Sequence, residues 1–281
     1  ATGLYGPARG TALSRTFPDH DGAAIGATLA AGSLGSAVLP FLAGALVETA
    51  GWRMVVGGLA PPLVAVAVLA WQAVPPRAAS TTPPSAAPSA LAAGMGAAIR
   101  TKRVAVAGAA VTLMIFVFQG VSAFYVTYLV TTKPFSQTVA AGMFALVFVG
   151  GAIAQLGGGA LANRVGERWL LTGVSAAGVP LLAAVPSVEG VWPVALLSLL
   201  LGSRLAVAPI TNAYVIAVVP DDVQGVTWGT LRTGFFLLGA GGSTLVGAFA
   251  DSGRFDAALY LLAGLTGVAA VLYAFLPPRG A

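Results

Sequence analysis

Residues 104–130 read VAVAGAAVTLMIFVFQGVSAFYVTYLV and contain no charged side chain. A helix that crosses the hydrocarbon core of a bilayer needs about 20 consecutive, mainly apolar residues. Because lipid offers no partners to backbone amides, only helices and closed barrels span it, and this stretch is too long for a barrel strand. It therefore predicts a transmembrane helix.

Similar segments lie on both sides of this stretch. They are Ala23–Val47, Met54–Ala73, Thr138–Ala162, Trp169–Val185, Val191–Val218, Gln224–Ala250 and Phe255–Leu276. Residues 1–14 are also apolar and are interpreted as the end of one more helix. The predicted fold class is an all-α integral membrane protein with eight complete transmembrane helices and a partial one. Since the chain starts inside that apolar stretch, we expect it to be an N-terminally truncated fragment.

Composition supports a membrane location and excludes several function classes. Hydrophobic residues make up 57% of the chain and charged residues 8%, whereas soluble proteins carry about 25% charged residues. The net charge of +5 comes from scattered basic residues rather than a basic face, so no nucleic-acid partner is predicted. The chain has no cysteine. His20, the single histidine, is a poor metal site despite Asp19 and Asp21 beside it.

No cofactor or metal is therefore predicted. A Walker loop is absent from the sequence, which argues against ATP-driven transport by this chain. The run Gly157–Gly159 is instead interpreted as a place where two helices approach closely.

A linker divides the chain into two unequal parts. Residues 74–89 read VPPRAASTTPPSAAPS, a composition that does not bury a core. The predicted domains are 1–73 (the remainder of an N-terminal helical half), the linker 74–103, and a C-terminal six-helix half, 104–281. A short surface helix is predicted over 89–99.

Basic side chains set the predicted orientation, because cytoplasmic loops carry more Lys and Arg. With the linker in the cytoplasm, nine basic residues fall on that side: Arg9, Arg15, Arg77, Arg100, Lys102, Arg103, Arg164, Arg168 and Arg279. Three fall outside: Arg53, Lys133 and Arg254. The predicted location is the plasma membrane.

An internal repeat relates the two parts. Pro7, Pro18 and Asp19 recur 202 residues later as Pro209, Pro220 and Asp221. After one inserted residue the offset becomes 203, pairing Gly22, Gly26, Gly44 and Glu48 with Gly225, Gly229, Gly247 and Asp251. Parallel repeats of this kind occur in transporters built from two halves. The intact protein is therefore expected to have six plus six helices, with the first three and the start of the fourth missing here.

This layout and three local patterns resemble the major facilitator superfamily. Residues 159–168, GALANRVGER, are similar to the family's loop motif G-x-L-a-D-R-x-G-r-r, with Asn163 where the family favours Asp. Gly35–Gly44, which includes Leu39-Pro40, resembles the glycine-proline motif of the family's antiporters. Gly51-Trp52-Arg53 resembles the turn between helices 5 and 6. The resemblance implies helices 4 to 12 of a 6+6 bundle, with a conformational loop motif at Gly159, Asn163, Arg164, Gly166 and Arg168.

Two arginines lie inside predicted helices, where a charge costs about 2.5–3.5 kcal/mol on insertion scales. They are Arg204 and Arg232. In the family, helix 10 lines the central cavity, so the resemblance places Arg204 there as an anion-binding or gating cation. Arg204, Ala208, Thr211 and Tyr214 share a helical face by spacing. The alternative is that the arginines pair with helix-end carbonyls or extend to the membrane surface.

Polar residues within the predicted helices complete the candidate substrate cavity. Gln119, Ser122 and Tyr125 follow one another at steps of three, and Gln155 and Asn212 lie on other helices. The alternative for these residues is hydrogen bonding between helices. All nine acidic residues fall at predicted loops or helix ends, so no buried proton carrier is predicted in this chain.

The function that these features favour is transmembrane secondary transport of a small solute by alternating access. Uniport, symport and antiport stay open, and the antiporter-like motif favours efflux. The predicted partners are the lipid bilayer, a small solute for which Arg204 favours an anion, and a coupling ion, proton or sodium. The alternatives are a non-transporting membrane scaffold or sensor and an integral-membrane enzyme. The catalytic clusters that an enzyme needs are not evident, so enzymatic activity is not predicted.

Overall fold

Apolar helices follow one another along the described chain. The computed structural model describes residues 21–73, 96–97, 100–219 and 224–277. The helices are α1 (Asp21–Gly58), α2 (Ala60–Ala73), α3 (Lys102–Thr132), α4 (Gln137–Val165), α5 (Glu167–Ala184), α6 (Val191–Leu201), a 3₁₀ segment (Gly202–Ala206), α7 (Val207–Val218), α8 (Gln224–Gly239), α9 (Gly241–Asp251) and α10 (Phe255–Ala274).

Six stretches within these helices are long and apolar enough to cross a membrane. They are Gly51–Gln72, Lys102–Thr132, Gln137–Ala162, Val191–Val215, Thr227–Asp251 and Phe255–Ala274. Each coincides with a predicted segment. Of the two other predicted segments, the first contains the shorter apolar helix Ala27–Leu39 and the second is the helix α5. The chain is thus an all-α, multi-pass membrane protein, and the count of eight helices plus a partial one stays a prediction.

Hydroxyl side chains fix where α3 and α4 begin. Thr101 Oγ1 accepts from the Val104 amide at 3.4 Å, and Ser136 Oγ accepts from the Val139 amide at 3.3 Å. Each bond satisfies one of the amides that the first helical turn leaves without a partner. The N-terminal ends of α3 and α4 therefore follow from local sequence.

α1 changes direction at Gly51, which has a φ of 74° and a ψ of 152°. A positive φ suits glycine because it lacks a Cβ, so the predicted turn at Gly51-Trp52-Arg53 is confirmed. Gly253, after α9, has a similar φ of 71° and lies one residue before Arg254, the position that the offset of 203 pairs with Gly51. The prolines at 7, 18 and 220 and the acids at 19 and 221 lie outside the described residues, as does most of the linker.

The core runs along α3 and α10, which contact each other and most other described helices. α10 packs along α5, and α3 also packs against α4, α7, α8 and α9. α1 lies along α4. The side chains of α2 are exposed and mainly apolar, with Trp71 88% exposed, a surface suited to lipid contact.

Two pairs of glycines let helices cross at backbone distance. A Cβ on Gly150 would overlap the carbonyl of Leu199, and one on Gly202 would overlap the carbonyl of Val147. The other pair, Gly120 and Gly242, lies between α3 and α9. Small residues permit such contacts between membrane helices.

The prediction of a close approach at Gly157–Gly159 was correct only for Gly158. A Cβ there would lie 3.4 Å from the Cβ of Ala206, whereas Gly157 and Gly159 have nothing within 4 Å. The reason is periodicity: neighbouring residues on a helix point about 100° apart, so only one of three can face a given partner.

The predicted helix over 191–218 is interrupted in the structure. Gly202–Ala206 is a 3₁₀ segment between α6 and α7. It begins at the Gly202 crossing and is followed by Pro209, which cannot donate to the carbonyl four residues earlier. A tight 3₁₀ stretch within a membrane helix often marks a functional hinge, and this one carries Arg204.

Candidate functional site

A cavity of about 330 Å³ lies between α1, α3, α4, α8 and the interrupted helix that runs from α6 to α7. Its lining residues are Leu29 on α1; Val111, Met114, Ile115, Phe118, Val121 and Ser122 on α3; Phe144, Val147 and Gln155 on α4; Leu201, Arg204, Leu205, Val207, Ala208, Pro209 and Asn212 on the interrupted helix; and Trp228, Arg232, Phe235 and Phe236 on α8. The volume is within the range of small-molecule sites. The lining runs from the middle of α3 toward the end at which α8 begins.

Arg204 is the most constrained polar residue of the cavity. It is 9% exposed, and its Nη2 donates to Thr266 Oγ1 at 3.2 Å and lies 4.0 Å from Met114 Sδ. Thr266 Oγ1 itself donates to the Leu262 carbonyl, so it acts as an acceptor for Arg204. The Arg204 Nε atom is buried with no hydrogen-bond partner.

These contacts leave the Arg204 charge uncompensated within the described part of the chain. Arg204 Cδ and Nε would lie 3.1 Å from a Cβ placed on Gly178, so α5 leaves room for the side chain by having a glycine there. A buried cation without an opposite charge is held at a cost of several kcal/mol. A group of this kind facing a cavity is a candidate ligand-binding group rather than a stabilising one.

Arg232 adds a second cation to the same cavity. Its Cζ lies 5.1 Å from the ring centroid of Phe236, a cation–π distance. Trp228, four residues before Arg232, also lines the cavity and packs edge-on to Phe235 at 6.3 Å. Trp228 was not predicted as a site residue, although its i, i+4, i+8 spacing with Arg232 and Phe236 was visible in the sequence.

Gln155 joins three elements at the rim of the cavity. Its Nε2 donates to the Leu205 carbonyl at 3.3 Å, and its Oε1 accepts from Ser33 Oγ at 3.0 Å. Because a carbonyl only accepts, the Leu205 contact fixes which end of the amide faces the 3₁₀ segment. Gln155 thus links α1 to the segment that carries Arg204.

The other candidates divide into two sets. Ser122 and Asn212 line the cavity with Gln155, Arg204 and Arg232, whereas Gln119 is not among its lining residues. Tyr125 Oη bonds Ser198 Oγ at 2.7 Å in the core, away from the cavity. Three residues advance a helix by about 300°, so a step of three drifts by about 60° each time and does not keep one face.

Arg204, Thr211 and Tyr214 lie on one face as predicted, but this face packs mainly against α10 and the residues that follow it. Thr211 Oγ1 and Tyr273 Oη lie 2.8 Å apart, and Tyr214 Oη donates to the Pro277 carbonyl at 2.7 Å. The Thr211 and Tyr214 hydroxyls are therefore bonded to α10 and to the residues that follow it. Ala208 lines the cavity.

Comparison with known protein families identifies the family of the chain. The sequence model described as Major Facilitator Superfamily matches residues 1–240 and 135–281, which together cover the whole chain. The chain belongs to the major facilitator superfamily. It is accordingly a membrane transporter for which a small solute is the kind of cargo, in a family of transporters rather than enzymes. No curated protein matches the chain at a significant level.

The stretch 159–168, which resembles the superfamily's loop motif, spans the end of α4 and the start of α5. Gly166 has a φ of 86° and forms the turn, with its amide donating to the Ala162 carbonyl at 2.9 Å. Arg168 lies over the Trp169 ring at 5.1 Å. Gly159 is within α4 and makes no close contact. Arg164 is exposed, and the Asn163 side chain lies outside the described part.

Proposed function

We propose that this superfamily member is a secondary transporter that moves a small solute by alternating access through the cavity around Arg204. In the proposed architecture, residues 1–73 belong to the N-terminal half, 74–103 are a cytoplasmic linker, and 104–281 form the C-terminal half. The two halves would rock about a site near the middle of the membrane. The plasma membrane is the proposed location.

The observation that supports this proposal is a cavity with polar lining groups, including the buried Arg204, inside an otherwise apolar bundle. Ser122, Asn212 and Arg204 approach it from helices after the linker, and Leu29 lines it from α1, before the linker. Charged and polar side chains at membrane depth mark substrate and ion pathways. A cavity lined by helices that come before and after the linker in the chain is suited to opening by movement of one half against the other.

Polar and aromatic contacts hold the end of the bundle that lies opposite the start of α8. Tyr128 Oη donates to Asp256 Oδ1 at 2.7 Å, and Phe255 packs edge-on to the Tyr128 ring at 5.3 Å. Lys133 Nζ donates to the Pro186 carbonyl on the same side. All of these contacts join residues within 104–281, so in alternating access they would move together with the proposed C-terminal half.

Cysteine accessibility tests the proposal directly, since the chain has no cysteine of its own. Ser122→Cys places a thiol on the cavity, and Ala123→Cys places one on the adjacent, exposed face of α3. In the full chain in oriented vesicles, we expect Ser122→Cys to react with a membrane-impermeant thiosulfonate from either side. Ala123→Cys should react from neither. Reaction of Ser122→Cys from one side alone would favour a scaffold or sensor over a transporter.

A further inference from the structure

We infer that the transported solute is an amphipathic organic anion, with a carboxylate or similar oxyanion held by Arg204. This inference rests on the proposed transport function and names its substrate class. The Arg204 guanidinium lines the cavity, and none of the cavity's described lining residues is acidic. The local charge therefore favours an anion. The planar guanidinium presents a fork of donors that matches the geometry of a carboxylate.

The contacts of Arg204 leave donor capacity for such a ligand. Arg204 is 9% exposed, and its Nε is enclosed beside Gly178 without a partner, so the donors left for a ligand are on the Nη atoms. The neighbours that the structure gives its Nη2 atom are the neutral groups Thr266 Oγ1 and Met114 Sδ. A buried guanidinium held in one orientation by a single hydroxyl is suited to accept an oxyanion from the cavity. Ser122 and Asn212 add neutral polar groups to the same lining.

The rest of the cavity wall is apolar, which favours a solute with an apolar part. Most of the lining is aliphatic or aromatic, including Phe118, Phe144, Trp228 and Phe236. A sugar or a small inorganic anion would leave its own hydroxyls or oxygens facing hydrocarbon, which is unfavourable. An organic body would instead displace water from this wall. A solute with one anionic end and one apolar end satisfies both parts of the cavity.

Ligands of matched shape test this inference on the unaltered full chain in nanodiscs. The probes are 4-phenylbutyrate, 4-phenylbutylamine, 4-phenylbutanol and sulfate, read by calorimetry and by the shift in thermal unfolding midpoint. We expect 4-phenylbutyrate alone to bind and to raise the midpoint, since a ligand of the native state stabilises it. Equal shifts from the alcohol, the amine or sulfate would overturn the inference.

Variants assign the binding to Arg204. Arg204→Gln should weaken 4-phenylbutyrate binding at least tenfold, and Arg204→Lys by less, because lysine keeps the charge but not the fork. The matched control is Arg254→Gln, an exposed arginine after α9, which should bind normally. Normal binding by Arg204→Gln would refute the inference. If Ser122→Cys reacts from both sides but no probe is selected, the substrate class fails and alternating access stands. If the carboxylate binds while Ser122→Cys reacts from one side only, the substrate class stands and alternating access fails.

Gln155 carries a second, independent inference: we propose that it is a positioning residue for the segment that holds Arg204. Pro209 has no amide hydrogen, so it cannot donate to Leu205 O, its acceptor in a regular helix. Gln155 Nε2 donates to this carbonyl instead, at 3.3 Å. The same amide accepts from Ser33 Oγ on α1. The side chain thus stabilises the break beside Arg204 and connects it to the helix before the linker.

Restoring the missing amide hydrogen tests this role. In an Ala208→Cys background, which reports on the cavity wall next to the break, Gln155→Leu should change the thiol modification rate at least fivefold and weaken 4-phenylbutyrate binding. Adding Pro209→Ala to Gln155→Leu should bring the modification rate back toward that of the parent. Ser33→Ala removes only the bond to Oε1 and serves as the control, with a smaller change in rate. An unchanged rate in Gln155→Leu, or no recovery with Pro209→Ala, would refute the positioning role.

Discussion

Gly120 and Gly242 lie opposite each other where α3 crosses α9. A Cβ on Gly120 would sit 3.0 Å from the Gly242 carbonyl oxygen, and one on Gly242 would sit 3.1 Å from the Gly120 amide nitrogen. A Cβ on Gly242 would also overlap the Phe116 carbonyl. The two backbones are therefore in direct contact, and neither position has room for a methyl group.

Gly242→Ala should therefore destabilise the protein. Overpacking a tight contact costs about 1–3 kcal/mol, and here the opposing atoms are backbone. The matched control is Gly264→Ala on α10, which has nothing within 4 Å and should gain up to about 1 kcal/mol from the better helix propensity of alanine. The measurement is the free energy of unfolding in mixed micelles. Equal stability of the two variants would contradict the crossing.

The buried pair Tyr125 and Ser198 should respond unequally to loss of either hydroxyl. Ser198 Oγ donates to the Val194 carbonyl at 2.7 Å, so the 2.7 Å bond between the pair is donated by Tyr125. Tyr125→Phe leaves Ser198 bonded and should cost about 1 kcal/mol, whereas Ser198→Ala leaves a buried hydroxyl without an acceptor and should cost about 1–3 kcal/mol. The same unfolding assay compares the two variants, and a larger loss in Tyr125→Phe would reverse the assigned direction.

The turn of the loop motif depends on Gly166. Its φ of 86° and ψ of 141° suit glycine, so Gly166→Ala should cost about 1–3 kcal/mol of backbone strain. Gly159→Ala, in the same motif, lies in a helix with open space around it and should be neutral or stabilising. Thermal unfolding midpoints of both variants check this prediction. A destabilised Gly159→Ala beside an unaffected Gly166→Ala would be incompatible with the described turn.

Thr266 should stabilise the protein through Arg204. Thr266→Val keeps the side-chain shape but removes the acceptor at 3.2 Å from Arg204 Nη2, and an unsatisfied charged donor costs at least about 1–3 kcal/mol. Thr172→Val is the control, since the Thr172 hydroxyl bonds the Arg168 carbonyl within its own helix. We expect a clear drop in unfolding free energy for Thr266→Val only. Similar losses in both variants would indicate that the Arg204 contact contributes little.

Most helix positions could be predicted from the sequence, because the requirement for about 20 apolar residues is local. The segment predicted at 104–130 is α3, Lys102–Thr132, and that predicted at 138–162 lies within α4, Gln137–Val165. The turn at Gly51 was also predicted. The prediction missed the 3₁₀ segment, which follows from contact between Gly202 and α4 rather than from hydropathy.

The candidate site was predictable only in part. Arg204 and Arg232 stood out because a charge within an apolar run is rare and costly. Spacing alone could not tell Ser122, which lines the cavity, from Tyr125, which bonds Ser198 in the core. The sequence did not distinguish Trp228 from other apolar helix residues, although it lines the cavity with Arg232.

The sequence by itself determined that this chain is a row of membrane helices with two arginines inside apolar segments, since length, hydropathy and charge act through the bilayer at each residue separately. Only the tertiary structure decided which polar groups face the cavity and which satisfy one another. That choice depends on what lies opposite each side chain. The opposing residues come from helices distant in sequence, as with Gln155 and Leu205 or Arg204 and Thr266.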